Sequence, residues 1–435
     1  MAAGKKAAFA TLGCKVNQCE TQALSEQFAA EGYMIVPFSE TADVYVVNTC
    51  SVTQTAESKS RQLIARAHRK NPQAVIAVAG CYAQRAAAEL LAMSGVRLVV
   101  GSAQKSRLPE LVRGLEQENE AVNAVCDVRS CKTFEEMPLS AHHEKTRAYI
   151  KIQDGCNNYC TYCIIPYLRG PVRSRSVASI IREVERLAAA GYKEIVLNGI
   201  NLSSYGKDLE TGDNLLAVLR AVHALPGVER IRLGSLEPVV ITPEFVSELS
   251  TLPKVCRHFH LSLQSGCDSV LARMNRHYTT KEFYAAVERL RALYPDCALS
   301  ADIIVGFPGE TEQEFEETVR FAEKIGFAWV HVFAYSVREG TAAAKMSGQV
   351  SPEVKQKRSA RLIAVCKENG CAYRERFVGR EVTVLCQQAG KMEASGLTDE
   401  HLEIVFSCKN AHENSLICVR VTGVTETGLC GEALE

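Results

Sequence analysis

The feature that most constrains the fold of this chain is a regular alternation of short apolar runs with helix-length segments. In the first part of the chain the runs are residues 7–12, 44–48, 75–79 and 96–101. Strands joined by connections of this length run parallel, because a parallel pair needs a crossover of a dozen or more residues. We therefore predict a Rossmann-like α/β domain over residues 1–140.

The same alternation restarts at Arg147 and yields six further strand-like runs, which are residues 149–153, 194–198, 230–235, 258–263, 298–305 and 329–335. Six βα units predict a partial TIM-type barrel, (βα)6, whose functional loops lie at the carboxyl ends of its strands. We expect this domain to span residues 141–373. A long helix is predicted over residues 350–376, so it begins inside the domain and ends three residues beyond it.

Beyond residue 373 the pattern changes to short alternating runs broken by glycines, namely residues 381–385, 402–406 and 416–421. This pattern predicts a small antiparallel β-barrel over residues 374–435. From Arg380 onward, four basic residues face nine acidic ones. Any RNA-binding surface of this domain must therefore be a local one.

Composition narrows the class of protein. Fifty Lys and Arg residues balance fifty Asp and Glu residues, which excludes a general basic field. No apolar run approaches the ~18 residues of a membrane span, so we expect a cytoplasmic protein without a membrane partner. Eighteen cysteines in a reducing compartment favour metal ligands or redox chemistry over disulfides.

Three cysteines lie on one short loop directly after the first barrel strand. Cys156, Cys160 and Cys163 have the spacing C-x3-C-x2-C. Three thiolates on such a loop can bind three irons of a cubane cluster and leave the fourth iron open for an external ligand. The alternative is a zinc knuckle, although structural zinc takes four ligands and no second cysteine pair lies nearby. The spacing favours the cluster.

Three more cysteines are far apart in the sequence but occupy equivalent places in the predicted sheet. Cys14, Cys50 and Cys81 each follow a strand-like run. The carboxyl ends of parallel strands meet at one edge of a doubly wound sheet, where ligands bind, so the three thiols are expected to converge there. They either hold a second cluster or are small buried residues, a common role of free cysteine.

Five motifs together resemble those of the radical S-adenosylmethionine (SAM) methylthiotransferases. They are residues 11–21, 48–53 and 80–85, the three-cysteine loop and residues 165–175. The resemblance covers essentially the whole chain, in the order methylthiotransferase domain, radical-SAM domain and TRAM domain. It implies a radical [4Fe-4S] cluster on Cys156, Cys160 and Cys163, and an auxiliary [4Fe-4S] cluster on Cys14, Cys50 and Cys81.

The resemblance also implies a mechanism. In that family one SAM molecule methylates a sulfur atom attached to the auxiliary cluster. A second SAM molecule is cleaved to a radical that activates the substrate carbon for carbon–sulfur bond formation. A cofactor supplies this step because acid–base groups do not suffice to activate an aromatic C–H bond. An electron donor of the flavodoxin or ferredoxin type is implied, and a monomer is expected.

Residues 198–206, 259–279 and 333–344 are most similar to the branch of the family that acts on threonylcarbamoyladenosine in tRNA. The implied product is 2-methylthio-N(6)-threonylcarbamoyladenosine, at the adenosine 3′ of the anticodon. The sister branches act on isopentenyladenosine in tRNA or on an aspartate of a ribosomal protein, and both remain alternatives. A non-catalytic iron–sulfur or zinc RNA-binding module is a third reading.

Further site residues follow from their positions near strand ends or the cysteine loop. The predicted SAM contacts are Tyr162, Asn198, Gly199, Asn201, Glu237, Gln264 and Asp302. The alternative role of Tyr162 is packing. The alternative role of Glu237, Gln264 and Asp302 is structural pairing with neighbouring strands. The predicted substrate contacts are Arg169, Arg173 and Arg175, because spaced arginines suit phosphate or carboxylate recognition. Their alternative role is that of ordinary surface arginines.

Overall fold

The computed structural model describes residues 4–115, 120–139 and 146–434. Its N-terminal part is a six-stranded parallel sheet in the order β2-β1-β3-β4-β5-β6, which confirms the predicted Rossmann-like architecture. The strands are β1 Lys6–Thr11, β2 Met34–Val36, β3 Val44–Thr49, β4 Val75–Gly80, β5 Val96–Val100 and β6 Val122–Ala124. The helices are α1 Lys15–Ala30, α2 Gln54–Lys70, α3 Cys81–Arg85, α4 Ala87–Leu91 and α5 Leu108–Leu115.

Helices cover both faces of this sheet. Every residue of β3 and β4 is buried, which explains why these strands read as continuous apolar runs in the sequence. Phe28 of α1 and Val112 of α5 pack on one face, and Ile64 of α2 and Leu90 of α4 pack on the other. The carboxyl edge of the sheet therefore stays available for a site.

The middle of the chain forms the predicted six-stranded parallel arc. Its main strands are β7 Arg147–Lys151, β10 Glu194–Asn198, β11 Arg230–Leu233, β12 His258–Gln264, β13 Ala298–Val305 and β14 Trp329–Ala334. Isolated bridges join β11 to the β12 side, so two three-stranded sheets make one curved wall. The helices are α6 Ile165–Arg169, α7 Val177–Ala189, α8 Leu215–His223, α9 Pro243–Leu249, α10 Asp268–Arg273, α11 Thr280–Leu293, α12 Glu312–Ile325 and α13 Pro352–Glu375.

The first barrel strand lies two residues earlier in the chain than the sequence pattern indicates. After β7 the chain enters the two-residue strand β8 Gln153–Asp154, which pairs antiparallel with β9 Arg173–Ser174. The extension of the apolar run to Gln153 reflects burial of both residues of β8, not continuation of the arc. This hairpin closes the base of the loop that carries the three clustered cysteines.

The C-terminal part is a closed five-stranded barrel in the order β15-β16-β17-β19-β18. Its strands are β15 Glu381–Ala389, β16 Glu393–Thr398, β17 Glu403–Ser407, β18 Leu416–Val424 and β19 Leu429–Ala433. The prediction of an antiparallel barrel is correct for four pairs, but β17 and β19 run parallel. A closed ring with an odd number of strands cannot alternate direction all the way round, so one parallel pair is required.

The C-terminal barrel is docked on the (βα)6 arc by buried arginines. Arg230 donates to the carbonyl oxygens of Leu397 at 3.0 Å and Thr383 at 2.6 Å. Arg232 donates to the carbonyl of Asp399 at 2.9 Å. The predicted boundary between residues 373 and 374 falls inside α13, and that between residues 140 and 141 lies outside the described residues. Both boundaries stay predictions.

A buried group of charges joins the N-terminal sheet to the arc. Glu20 of α1 pairs with Arg169 at 2.9 Å, with Lys151 at 3.0 Å and with Lys105. Asp154 pairs with Arg169 at 3.1 Å and with Lys151 at 3.2 Å. All five side chains are less than a tenth exposed. Burial alone would raise the pKa of Glu20, but Arg169, Lys105 and Lys151 hold this pKa well below its usual range.

No helix in the described ranges is both long enough and apolar enough to cross a bilayer.

We predict that Arg169→Met strongly destabilises the folded protein. Removal of one partner from a buried ion network leaves uncompensated charge and costs about 3–5 kcal/mol. The free energy of unfolding, measured by urea titration, is the readout. The matched control is Arg220→Met, because Arg220 pairs with Glu248 at the surface and its loss leaves both groups in water. A change for Arg169→Met no larger than that of the control would contradict this role.

Candidate functional site

The loop between β8 and α6 holds Cys156, Cys160 and Cys163 in a compact arrangement. The backbone N–H of Cys163 donates to the carbonyl of Cys160 at 2.9 Å, and that of Cys156 donates to Gly170 at 3.1 Å. Burial raises the pKa of the Cys163 thiol to about 12, with smaller contributions from the neighbouring Cys160 and Cys156 thiols and against a backbone hydrogen bond that lowers it. Metal binding overcomes such a shift because a coordinating thiol is deprotonated.

Donors surround these sulfur atoms. The Asn201 amide lies 3.8 Å from Cys156 Sγ, and an Arg276 guanidinium nitrogen lies 3.2 Å from Cys160 Sγ. Glu237 accepts from Arg276 at 2.8 Å and from Asn158 at 2.7 Å, so it fixes both the arginine and the loop. The structure thus places the predicted Asn201 and Glu237 at the loop, where they orient the cysteine environment.

The second set of cysteines lies at the carboxyl edge of the N-terminal sheet, as the strand pattern predicts. Cys14 is the residue before α1, Cys50 follows β3, and Cys81 begins α3. Gly13 has φ +106°, and a Cβ there would lie 2.7 Å from Cys50 Cβ. The loop after β1 is therefore in direct contact with Cys50. Burial raises the pKa of Cys50 to about 11, with smaller contributions from Cys81 and Cys14.

The donor chemistry of both sets fits iron–sulfur clusters. All six thiols are free. In the part of the chain that the structure describes, no three His, Cys, Asp or Glu side chains converge on a position for one metal ion. A cubane cluster does not require the three thiolates to converge on one point, because each thiolate binds a different iron atom. Arg169, which carries positive charge beside Cys81 and Cys14, suits an anionic cluster.

The two sets of cysteines face each other. Cys81 packs directly against Ile164 and Leu168, and Ile164 follows Cys163 in the sequence. A cavity of about 1050 Å³ opens beside this contact. Its wall includes Gly13 and Cys14 from the N-terminal sheet domain and Ile165 from α6. One cavity is therefore lined by Cys14 of one set and by Ile165, which lies two residues after Cys163 of the other set.

The three arginines predicted to contact substrate are buried structural residues instead. Arg169 belongs to the ion network at the domain interface, and Arg173 donates to the carbonyl of Arg169 at 2.8 Å. Arg175 pairs with Glu183 of α7 and with Glu136. Each is no more than 3% exposed. Their guanidinium groups are committed to carboxylates and carbonyls, which leaves little surface for a phosphate.

Of the other predicted contacts, Asn198, Gly199 and Asp302 line the cavity. A Cβ at Gly199 would lie 2.9 Å from Gln153 Cβ, so only glycine fits at this strand end. Tyr162 does not line the cavity and packs against the apolar cluster around Phe307 and Tyr335. Gln264 ends β12 with φ +69°, an unusual conformation for a side-chain-bearing residue.

Sequence reasoning missed the residues that line the middle of the cavity. They are His258 and His260 of β12, Ser300 of β13, and Trp329 and His331 of β14, with His401 from the C-terminal barrel. His260 lies 3.4 Å from Asp302, and His258 stacks on Trp329 with ring centroids 4.8 Å apart. The sequence signal that could have found them is the two-residue spacing of His258 and His260, and of Trp329 and His331. Side chains at alternate positions of a strand share one face.

Two family models match the chain. The uncharacterized protein family UPF0004 matches residues 6–101, and the radical SAM superfamily matches residues 150–322. Among solved structures, the radical S-adenosylmethionine methyltransferase TsrM from Kitasatospora setae aligns with a TM-score of 0.57 at 16% identity, over 78% of this chain and 77% of that one. At this identity the likeness concerns the fold alone. The radical SAM match brings SAM and one [4Fe-4S] cluster as cofactors.

Curated relatives cover nearly the whole chain. The threonylcarbamoyladenosine tRNA methylthiotransferase of Bacillus subtilis is 42% identical, over 92% of this chain and 90% of the relative. The protein of the same description from Aquifex aeolicus is 37% identical, over 92% and 96%. A tRNA-2-methylthio-N(6)-dimethylallyladenosine synthase of Clostridium botulinum is 36% identical, over 98% and 96%. With these relatives and both domain matches, the chain belongs to the radical-SAM methylthiotransferase family.

Proposed function

We propose that this enzyme methylthiolates C2 of N(6)-threonylcarbamoyladenosine in tRNA, beside the anticodon. The observation that carries the proposal is the contact of Cys81 with Ile164, the residue after Cys163, beside a cavity that is lined by Cys14 and Ile165. The relatives with the highest identities among those given above are described as acting on this nucleoside. A dimethylallyladenosine synthase at 36% identity keeps the sister substrate as the second candidate.

The cofactors proposed for the six cysteines are two [4Fe-4S] clusters. Cys156, Cys160 and Cys163 would hold the radical cluster, and Cys14, Cys50 and Cys81 the auxiliary one. Together with SAM these groups supply the electron, the sulfur and the methyl group of the reaction. A flavodoxin- or ferredoxin-type reductant and a monomeric enzyme complete the proposal.

Neighbouring side chains of the protein set the polarity around the two cysteine sets. Arg276 and Asn201 direct donors at Cys160 and Cys156, which stabilises negative charge on these sulfur atoms. Ile164 and Leu168 pack against Cys81, so this thiol is shielded from water. Asn198 and Asp302 offer polar atoms at the cavity wall to orient SAM or the nucleoside.

An exposed aromatic pair offers a surface for tRNA next to this site. Tyr159 of the cysteine loop is 51% exposed and Tyr167 of α6 is 50% exposed. Their ring centroids are 5.7 Å apart. Exposed aromatic side chains stack on unpaired bases, and an anticodon loop presents such bases. In this proposal the aromatic pair contacts the tRNA, instead of the buried Arg169, Arg173 and Arg175.

The main test is the nucleoside content of tRNA. We expect expression in a bacterial strain that lacks its own methylthiotransferases to yield 2-methylthio-N(6)-threonylcarbamoyladenosine, detected by mass spectrometry. Cys81→Ala and Cys156→Ala should each abolish the product, because each removes one proposed cluster ligand. In vitro, Cys156→Ala should abolish SAM cleavage, whereas Cys81→Ala should cleave SAM without thiolation.

Cys371→Ala is the matched control, since Cys371 lies on α13 and contacts Glu375. It should form the product at the wild-type level. Detection of only the isopentenyl derivative would move the enzyme to the sister branch. With iron loading confirmed, the absence of both derivatives would direct the search to a protein substrate.

We also predict that Tyr159→Ala weakens binding of the iron-loaded enzyme to an anticodon stem-loop RNA. Loss of one base-stacking contact corresponds to about 5- to 100-fold in the dissociation constant. Fluorescence anisotropy with a labelled RNA measures this change. The control is Tyr284→Ala on the outer helix α11, where Tyr284 contacts Lys324. Equal affinity of wild type and Tyr159→Ala would exclude the aromatic pair as a tRNA contact.

A further inference from the structure

Lys15 is a cation without a counterion at the wall of the central cavity. It follows Cys14, begins α1 and is among the cavity-lining residues. Among the described residues its ammonium group has neither an ion pair nor a hydrogen bond. Arg232 lines the same cavity, and Arg147, the Cys19 thiol and Glu194 also act electrostatically on the ammonium group.

Glu194 does not neutralise this part of the cavity. It is fully buried and lies 2.8 Å from Arg232, 3.8 Å from Arg230 and 4.0 Å from Arg147. Three arginines thus share one carboxylate, and Lys15 adds a fourth positive charge. The cavity lining itself includes three cations, Lys15, Arg232 and Arg374, and two carboxylates, Asp302 and Glu403. The region beside Lys15 therefore carries an excess of positive charge.

Several buried cations of this protein have anionic partners. Lys105 and Lys151 pair with Glu20, and Arg276 pairs with Glu237. Lys15, in contrast, is exposed at the cavity wall, so its ammonium group is available to an anion, which the neighbouring cations also attract. An anionic ligand group is therefore expected at Lys15 when the cavity is filled.

We propose that Lys15 binds the carboxylate of the threonylcarbamoyl group and thereby selects this nucleoside over isopentenyladenosine. This proposal rests on the proposed function. The threonylcarbamoyl substituent carries a carboxylate, whereas the isopentenyl substituent is a hydrocarbon with no charge to pair. An ammonium–carboxylate contact is a charge-assisted hydrogen bond, among the stronger kinds in proteins. The carboxylate of SAM, the RNA phosphates and the cluster proposed at Cys14 are the other anions of the site, so the test separates them from the carboxylate of the nucleoside.

The experiment measures binding and turnover of the iron-loaded enzyme with two anticodon stem-loop RNAs. One carries threonylcarbamoyladenosine, and the other carries the same nucleoside with its carboxylate converted to a methyl amide. For Lys15→Gln we expect kcat/KM and affinity for the carboxylate RNA to fall about 10- to 100-fold. Both values for the amide RNA should stay at the wild-type level. Lys15→Arg should retain most of the preference for the carboxylate.

Three measurements complete the design. The dissociation constant of SAM, the iron content and RNA-free SAM cleavage should be the same in Lys15→Gln and wild type. Lys281→Gln on the outer helix α11 controls for the loss of one positive charge and should bind both RNAs as wild type does. Equal losses on both RNAs, or weaker SAM binding, would overturn the assignment of Lys15 to the substrate carboxylate.

Thiolation assays with the wild-type enzyme distinguish a failure of this proposal from a failure of the proposed function. If it thiolates only an isopentenyladenosine RNA, the proposed function itself fails. If it thiolates the carboxylate RNA and Lys15→Gln acts on that RNA as well as wild type does, the function stands and the role of Lys15 is wrong.

Discussion

The ion network around Arg169 is the interaction on which the arrangement of the site depends. Glu20 lies six residues after Cys14, and Arg169 lies six residues after Cys163. The pair between these two side chains therefore ties a segment next to one cysteine set to a segment next to the other. Buried charges of this kind add little net stability, but a broken network is costly. The network thus defines one relative position of the two domains.

Much of the architecture follows from the sequence because the hydrophobic pattern is set by local geometry. The runs that became β3 and β4 are buried on both faces, and their lengths match the predicted strands closely. Cys14, Cys50 and Cys81 were singled out because strand ends in parallel sheets share an edge, and Cys156, Cys160 and Cys163 because of their C-x3-C-x2-C spacing. The direction of β19 was missed because strand pairing in a closed barrel depends on the whole ring and not on any one run.

The roles of the arginines show the limit of sequence reasoning. Arg169, Arg173 and Arg175 have the spacing of a phosphate-binding segment, and nothing local indicates that Glu20 and Glu183 cover them. Partners 149 residues away in the chain are decided by how domains meet. Conversely, His258 and His260 appear in the sequence as ordinary strand residues, and only the folded structure places them in the wall of the cavity. Lys15 went unnoticed because a single lysine in a motif has no pattern of its own.

The tight contact at Gly13 has a mechanical consequence. A Cβ at this residue would lie 2.7 Å from Cys50 Cβ and 2.9 Å from Cys50 Sγ, so there is no space for even one additional carbon atom. Any side chain here would displace either Cys50 or the loop that carries Cys14. The relative position of these two cysteines is thus governed by a residue that has no side chain of its own.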